Sequence, residues 1–223
     1  MGGGSFDMGS NKIVSRLKNN NGVITDIYGS TWTIQNKAAN DQTVICYKDP
    51  NNGNEAIEFV SMGQTPFLEL ASRSSNFDIS NEWSITAWIK IQTSGCIFGM
   101  MDTNSHGFAM PLDSVLEHSI AISTGSQVVC YSSKIPTNTW FFMEASLDKD
   151  NIARLFINGH MYSAYLPTIA SLAATSRITW GNWAWGPMTT INHFNGQMYD
   201  ATMYNGVLHT FSYDKNAFSL RQY

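Results

Sequence analysis

Three stretches carry the residue types that could do chemistry. The first is "WGNWAWGP", residues 180–187, where Trp183 and Trp185 fall in a loop bounded by Gly and Pro. Flat aromatic rings beside amide donors and acceptors make a platform for sugars. Asn182 and Asn192 are the nearest amides, so Trp183, Trp185, Asn182 and Asn192 form the candidate carbohydrate site. The same tryptophans would serve equally to pack a domain edge or a protein interface. The second stretch is "MMDTNSHG", which offers Asp102 and Asn104, with Asp113 further on, as oxygen ligands for calcium. A good calcium site gathers about six to eight oxygens, and an Asx-stabilised loop would use the same residues. The third is acidic. Glycoside hydrolysis needs two carboxyl groups about 5–9 Å apart across the scissile bond. Glu55 and Glu58 of "EAIE" face opposite sides of an extended strand, and Asp148 and Asp150 read as a solvated turn. No Glu-x-Asp-x-Glu strand occurs, so the chain is expected not to be an enzyme.

Other catalytic and cofactor patterns are missing. There is no Gly-x-Ser-x-Gly elbow and no Cys-x-x-Cys, and the five His show no zinc spacing. "GQTPF" and "GSTW" are glycine turns rather than phosphate loops. "TDIYGSTW" resembles the Asp-box turn of sialidases with one extra residue between Asp26 and Gly29. Cys46, Cys96 and Cys130 are odd in number and far apart, which suits free, buried thiols. A net charge of −4 with no basic stripe argues against nucleic acid as a partner. No apolar run of about 20 residues is present, which argues against a membrane-spanning helix. The N-terminus "MGGGSFDMGSNK" lacks the basic start and apolar centre of a signal peptide.

The elements that must position these residues are strands. Val, Ile, Thr and aromatics recur in short alternating runs, with turns at intervals of roughly 8–12 residues, the pattern of a sandwich or barrel. Fifteen such runs are legible, from "GVITDIY" to "FNGQMYDATMY". The only helical turns expected lie in "LPTIASLAAT" and near "VLHTFSYDK". Asn158-Gly159 is a two-residue hairpin signal, because both positions of a type I′ turn need φ > 0. That turn sets a register in which Ile157 faces His160, Leu155 faces Tyr162 and Ala153 faces Ala164. A turn over residues 148–151 adds a strand before it, making a three-strand meander. In "WSITAWIK", Trp83, Ile85, Ala87 and Ile89 share one face, yet Trp88 sits on the other, polar face.

Together "FDISNEWSITAWIKI", "CIFGMM", "TNTWFFMEASLDKDNIARLFINGHMY", "RITWGNW" and "FNGQMYDATMYNGVLHT" resemble, in order, the laminin G-like domains of the concanavalin A-like lectin/glucanase superfamily. Trp88, Trp140, Asn158, Gly159, Phe194, Gly196, Tyr204 and Leu208 fall on that pattern, which covers roughly residues 23–212. The resemblance implies an all-β, two-sheet antiparallel jelly-roll sandwich over residues 13–223, preceded by a short Gly-rich arm over 1–12. It implies a calcium site on a loop, and it explains Trp88 as an anchor covered by a terminal segment. Phe6 and Met8 are the large apolar side chains of the arm, which is expected to dock on a partner. The function expected is a non-enzymatic structural or attachment subunit of a virus particle: a capsid decoration, head-fibre or tail adhesion protein of a phage. Its partners would be other virion proteins, copies of itself and host surface glycans, and its location the virion. A free carbohydrate-binding lectin is the alternative, and a glycoside hydrolase is disfavoured by the missing acid pair.

Overall fold

A computed structural model describes residues 12–20, 23–35, 44–48, 55–59, 66–73, 82–93, 95–101, 107–113, 119–123, 128–132, 134–150, 152–165, 177–182 and 194–208. The described elements are all strands. They are β1 (Lys12–Asn20), β2 (Val23–Asp26), β3 (Thr31–Gln35), β4 (Val44–Lys48), β5 (Glu55–Phe59), β6 (Phe67–Ser72), β7 (Trp83–Thr93) and β8 (Gly95–Met101). There follow β9 (Gly107–Asp113), β10 (Ser119–Ser123), β11 (Val128–Tyr131), β12 (Trp140–Leu147), β13 (Ile152–Ile157), β14 (His160–Tyr165), β15 (Arg177–Trp180) and β16 (Asn195–Asn205). Every neighbouring pair is antiparallel. One sheet runs β14-β13-β12-β7-β16-β1-β2, with β5 on β16 and β4 on β5. The other runs β11-β10-β9-β8-β15-β6-β3. The expected two-sheet antiparallel sandwich is therefore the observed fold.

Alternation builds the core. Trp83, Ile85, Ala87, Ile89 and Ile91 of β7 are all buried, as are Ala145 and Leu155 beside them in the sheet. From the facing sheet come Phe98, Phe108, Met110 and Trp180. Trp83 meets Phe108 edge-to-face at 4.5 Å across the two sheets, and Phe98 meets Trp180 at 4.8 Å within the second one. Gly196 of β16 explains its place in the family pattern: a side chain there would collide with the Lys90 carbonyl and the Phe194 ring.

β1 was not among the strands legible in the sequence. Its register shifts between Ile13 and Ser15, so Val14 and Leu17 both reach the core although they are three residues apart. A bulge of this kind breaks the period-two signal. β16 carries the matching irregularity between Tyr199 and Thr202, where Asp200 has φ 55°. Beyond this point β16 exchanges neighbours, pairing with β5 over Gly196–Met198 and with β1 over Thr202–Asn205. Arg16 Nε donates to Asp200 Oδ1 at 2.6 Å across the junction.

The outward face of β7 is as informative as the core face. Ser84 and Thr86 are buried there, with Ser146 and Arg154 on neighbouring strands. Ser84 Oγ donates to the Gly206 carbonyl at 2.8 Å and accepts from the Leu208 N–H at 3.0 Å, so the chain leaving β16 turns back over this face. Trp88 is half-buried on the same face and packs edge-to-face on Phe142 at 5.4 Å. The terminal segment expected to cover it, and the arm with Phe6 and Met8, lie outside the described residues.

Candidate functional site

The meander β12-β13-β14 forms as its turns dictate. Asn158 has φ 47° and Gly159 φ 80°, as a type I′ turn requires. The predicted register is observed, with Ile157 opposite His160, Leu155 opposite Tyr162 and Ala153 opposite Ala164. Asn158 also does what a glycine at this φ could not. Its Oδ1 accepts the Phe142 N–H at 2.9 Å, while its own N–H donates to the Phe142 carbonyl at 2.9 Å. The hairpin tip is thereby tied to the next strand.

At the other end of the meander, Asp148 closes the β12–β13 turn. Oδ1 accepts from the N–H groups of Asp150 and Ile152, each at 2.9 Å, and Oδ2 accepts from Arg154 Nη1 at 2.6 Å. Burial alone would raise this carboxyl, but the Ile152 N–H and Arg154 outweigh it and hold its pKa below the usual carboxylate value. The Arg154 and Asp148 side chains are only 7% and 13% exposed. The turn is solvated at Lys149 and Asp150, as expected, but Asp148 is a structural clamp, because a carboxylate held by three donors folds the turn around itself.

Three other acids are similarly engaged. Glu69 accepts from Arg177 at 2.7 Å, and Glu58 accepts from Gln197 Nε2 at 3.1 Å. Asp26 accepts from the Ser15 hydroxyl at 2.5 Å, the Trp32 indole at 3.0 Å and the Tyr28 N–H at 2.8 Å. The "TDIYGSTW" segment is thus a turn built on Asp26. Cys96 is buried, donates to the Phe98 carbonyl at 3.2 Å, and has its pKa pushed up to about 12 by burial. It is a thiol rather than a nucleophilic thiolate at neutral pH.

A cleft of about 430 Å³ opens beside the Asn158-Gly159 tip. Ile135, Phe141 and Ile157 line it with Tyr162, which the register puts on the core side of the sheet; Trp140 also borders it, but opposite Lys90 its side chain belongs to the outward face. Lys134, Thr139, Asn158 and His160 are exposed around it. His160 and Tyr162 are two residues apart on one face of β14, with rings edge-to-face at 4.7 Å. Lys90, opposite Trp140 in the register, holds its Nζ 6.0 Å from the indole centroid, a cation–π distance. Among the described residues lining the cleft, none is acidic. Its volume lies within the usual range for small-molecule sites, about 300–1,000 Å³.

Residues 62–210, which hold β6 to β16 of the two facing antiparallel sheets, match the family signature of the concanavalin A-like lectin/glucanases superfamily, laminin G type. The chain belongs to this superfamily. Among solved structures of similar fold is the binding domain of botulinum neurotoxin DC in complex with rat synaptotagmin II, at 13% identity and TM-score 0.64. The alignment covers 94% of this chain and 50% of that one. The botulinum neurotoxin serotype C1 binding domain aligns at 12% identity and TM-score 0.64, over 94% and 51%. This chain therefore spans about half the length of those binding domains. Domain 4 of AbnA, a GH43 extracellular arabinanase from Geobacillus stearothermophilus, in complex with arabinotriose, aligns at 19% identity and TM-score 0.63, over 89% of this chain and 95% of that one. At such identities the likeness is one of fold. No curated protein matches the sequence.

The concanavalin A-like frame accounts for the family-pattern residues as structure, and sets the site residues read from sequence apart from the cleft. Asn182 is buried in the turn after β15, where its carbonyl accepts from Thr179 Oγ1 at 2.7 Å. Trp183, Trp185 and Asn192 lie outside the described residues, as do Asp102 and Asn104. Asp113 ends β9, opposite Ser119. Among the described residues no group of three or more His, Cys, Asp or Glu is gathered. The cleft residues were missed because four separate segments supply them. The signal that could have found them is the hairpin register, which places His160 and Tyr162 on the side of Ile157 and Leu155.

Proposed function

We propose that this concanavalin A-like domain is a non-enzymatic recognition subunit that binds glycan in the cleft beside Trp140. The carrying observation is the cleft itself: the Tyr162 and His160 rings, an apolar side, and hydrogen-bonding groups at the rim, with Trp140 at its border. A sugar ring has an apolar C–H face and a hydroxyl edge, and this lining offers a partner to each. The arabinotriose complex of a domain with this fold supports a saccharide as ligand. The neurotoxin binding domains support a role in attachment.

The setting we propose is a virion, where such a subunit would decorate a capsid or fibre and meet host surface glycans, held to other virion proteins through residues 1–12. A chain that is only 13% charged fits a subunit packed in a large assembly. Mass spectrometry of purified particles from the source is the test; absence of the chain from them would refute this setting. Calcium on Asp102, Asn104 and Asp113 is likewise proposed. A melting temperature that rises with added calcium, and no longer does so in Asp102→Ala, is its expected sign.

Glycan binding is tested by array screening followed by titration of the hits. Trp140→Ala and Tyr162→Ala should each weaken binding by about ten-fold or more, with unchanged circular dichroism. Full binding by both folded variants would move the site elsewhere. No reducing sugar should be released from β-glucans, galactans or capsular polysaccharides.

A further inference from the structure

We infer that the outward face of β7 and β16 carries a second saccharide site, separate from the cleft and suited to a neutral sugar. The register places its corners. Trp88 lies opposite Tyr199, and Lys90 lies opposite Gln197, two residues along each strand. Alternation puts all four on one side of the sheet, away from Ile89 and Met198, which are wholly buried in the core. Beyond Gln197, β5 adds Glu58 to the same row. Neighbouring strands lie about 5 Å apart and successive outward residues about 7 Å apart, so these five side chains border one patch. Tyr162 and His160 of the cleft stand on the core side, opposite Leu155 and Ile157, so the two sites occupy different sides of this sheet.

The amide at the centre of the patch points to a ligand. Gln197 is only 4% exposed. Its Nε2 donates to Glu58 Oε1 at 3.1 Å, which fixes the amide's orientation, because only the NH₂ group can face a carboxylate. Oε1 is therefore the atom left over, and it is buried with no hydrogen-bond partner among the described residues. Lys90, its neighbour across the register, does not supply the donor, because its ammonium is turned the other way, toward Trp140 on β12. Buried acceptors are nearly always paired, so this one marks a place for a donor from outside the chain. The rest of the patch suits a sugar. Trp88 and Tyr199 are half-buried, and each offers part of a ring to an apolar C–H face. Glu58 keeps acceptor capacity beyond Gln197, and Lys90 brings donors. Sugar hydroxyls donate and accept at once and so engage both kinds. Lys90 and Glu58 carry opposite charges, which gives a charged ligand no advantage over a neutral one.

The test uses the full chain with four neutral sugars: arabinotriose, cellotriose, galactose trimer and lactose. Affinity is read by calorimetry, and the place of binding by the Trp88 indole N–H resonance. At least one of the four should shift that resonance. Its affinity should fall about ten-fold in Tyr199→Ala and in Gln197→Leu, which keeps the bulk of the side chain and removes the acceptor, with unfolding midpoints near that of wild type. The shift should persist in Tyr162→Ala, which damages only the cleft. A sugar that binds without moving the Trp88 resonance, and keeps its affinity in both folded variants, would overturn the inference and leave the cleft reading standing. A Trp88 shift that vanishes in Tyr162→Ala would overturn the separation of the two sites. Sialyllactose shifting Trp88 with about ten-fold higher affinity than lactose would overturn the neutral assignment. If none of the four sugars binds, the inference falls, whatever the cleft holds.

Discussion

The two ends of the β12-β13-β14 meander use one device for different purposes. At each end a short polar side chain captures backbone N–H groups and closes a turn. Asp148 is filled completely: two backbone donors occupy one oxygen and Arg154 the other. Asn158 is filled by half: Phe142 occupies its oxygen, and the residue itself lines the cleft. The first end is structure alone, whereas the second is structure with a free hand for a ligand. A carboxylate would close the second turn as well, but it would turn the rim of the cleft acidic. The choice of amide over acid at residue 158 is what separates a clamp from a site.

This contrast can be broken at either end. The largest effect is expected from Asp148→Ala, which removes the carboxylate from a nearly buried ion pair and from two backbone donors. Chemical denaturation should show a loss of about 3 kcal/mol; a loss near zero would mean the clamp is ornamental. The same carboxyl sets an acid limit. Its pKa is lower in the folded chain than in the unfolded one, so its contribution is present in full above the unfolded value, about 3.9, and is lost as pH falls through the folded value. In Asp148→Asn the melting temperature should therefore fall less steeply than wild type as pH drops through that window.

At the other end, Gly159→Val forces a β-branched residue to φ 80° and should cost about 2 kcal/mol. An unchanged denaturation midpoint would show that the type I′ geometry is dispensable. Asn158→Ala strands the Phe142 N–H and should cost about 1.5 kcal/mol. Asn158→Asp is the sharpest and smallest probe. It keeps an acceptor for Phe142 and tolerates φ > 0, so stability should change by less than about 0.5 kcal/mol. Binding of the glycan should nonetheless weaken by about ten-fold, as the amide donor beside the cleft is replaced by a carboxylate that only accepts. Undiminished affinity in that variant would erase the distinction between the two ends.

How far the sequence reveals this molecule follows from how local each signal is. Period-two alternation is a property of each strand alone, and fifteen strands could be read from it. The hairpin register is equally local, since two residues with φ > 0 determine it. β1 escaped because its bulge places Val14 and Leu17 in the core at a spacing that fits no simple period. The cleft escaped for a different reason. Ile135, Trp140, Ile157 and Tyr162 come from a loop and three strands, and their convergence belongs to the sheet rather than to any segment. Trp140 and Asn158 were singled out, but as members of a family pattern, and Asn158 proves to serve structure and rim together. Trp180, beside the tryptophans first read as a sugar platform, is instead wholly buried in the core.

The position of β16 has a consequence in time. It lies inside its sheet, with β7 on one side and β5 and then β1 on the other. On a ribosome β1, β5 and β7 emerge long before it, and until it arrives each lacks a partner at the sheet's centre. The sheet therefore cannot close during most of synthesis, and the nascent chain must carry unpaired edges rich in Ile, Val and Phe until residue 205 is free of the exit tunnel. Any nonsense mutation upstream of β16 should yield an aggregating fragment rather than a smaller folded domain, and holdase chaperones should engage the chain throughout that interval.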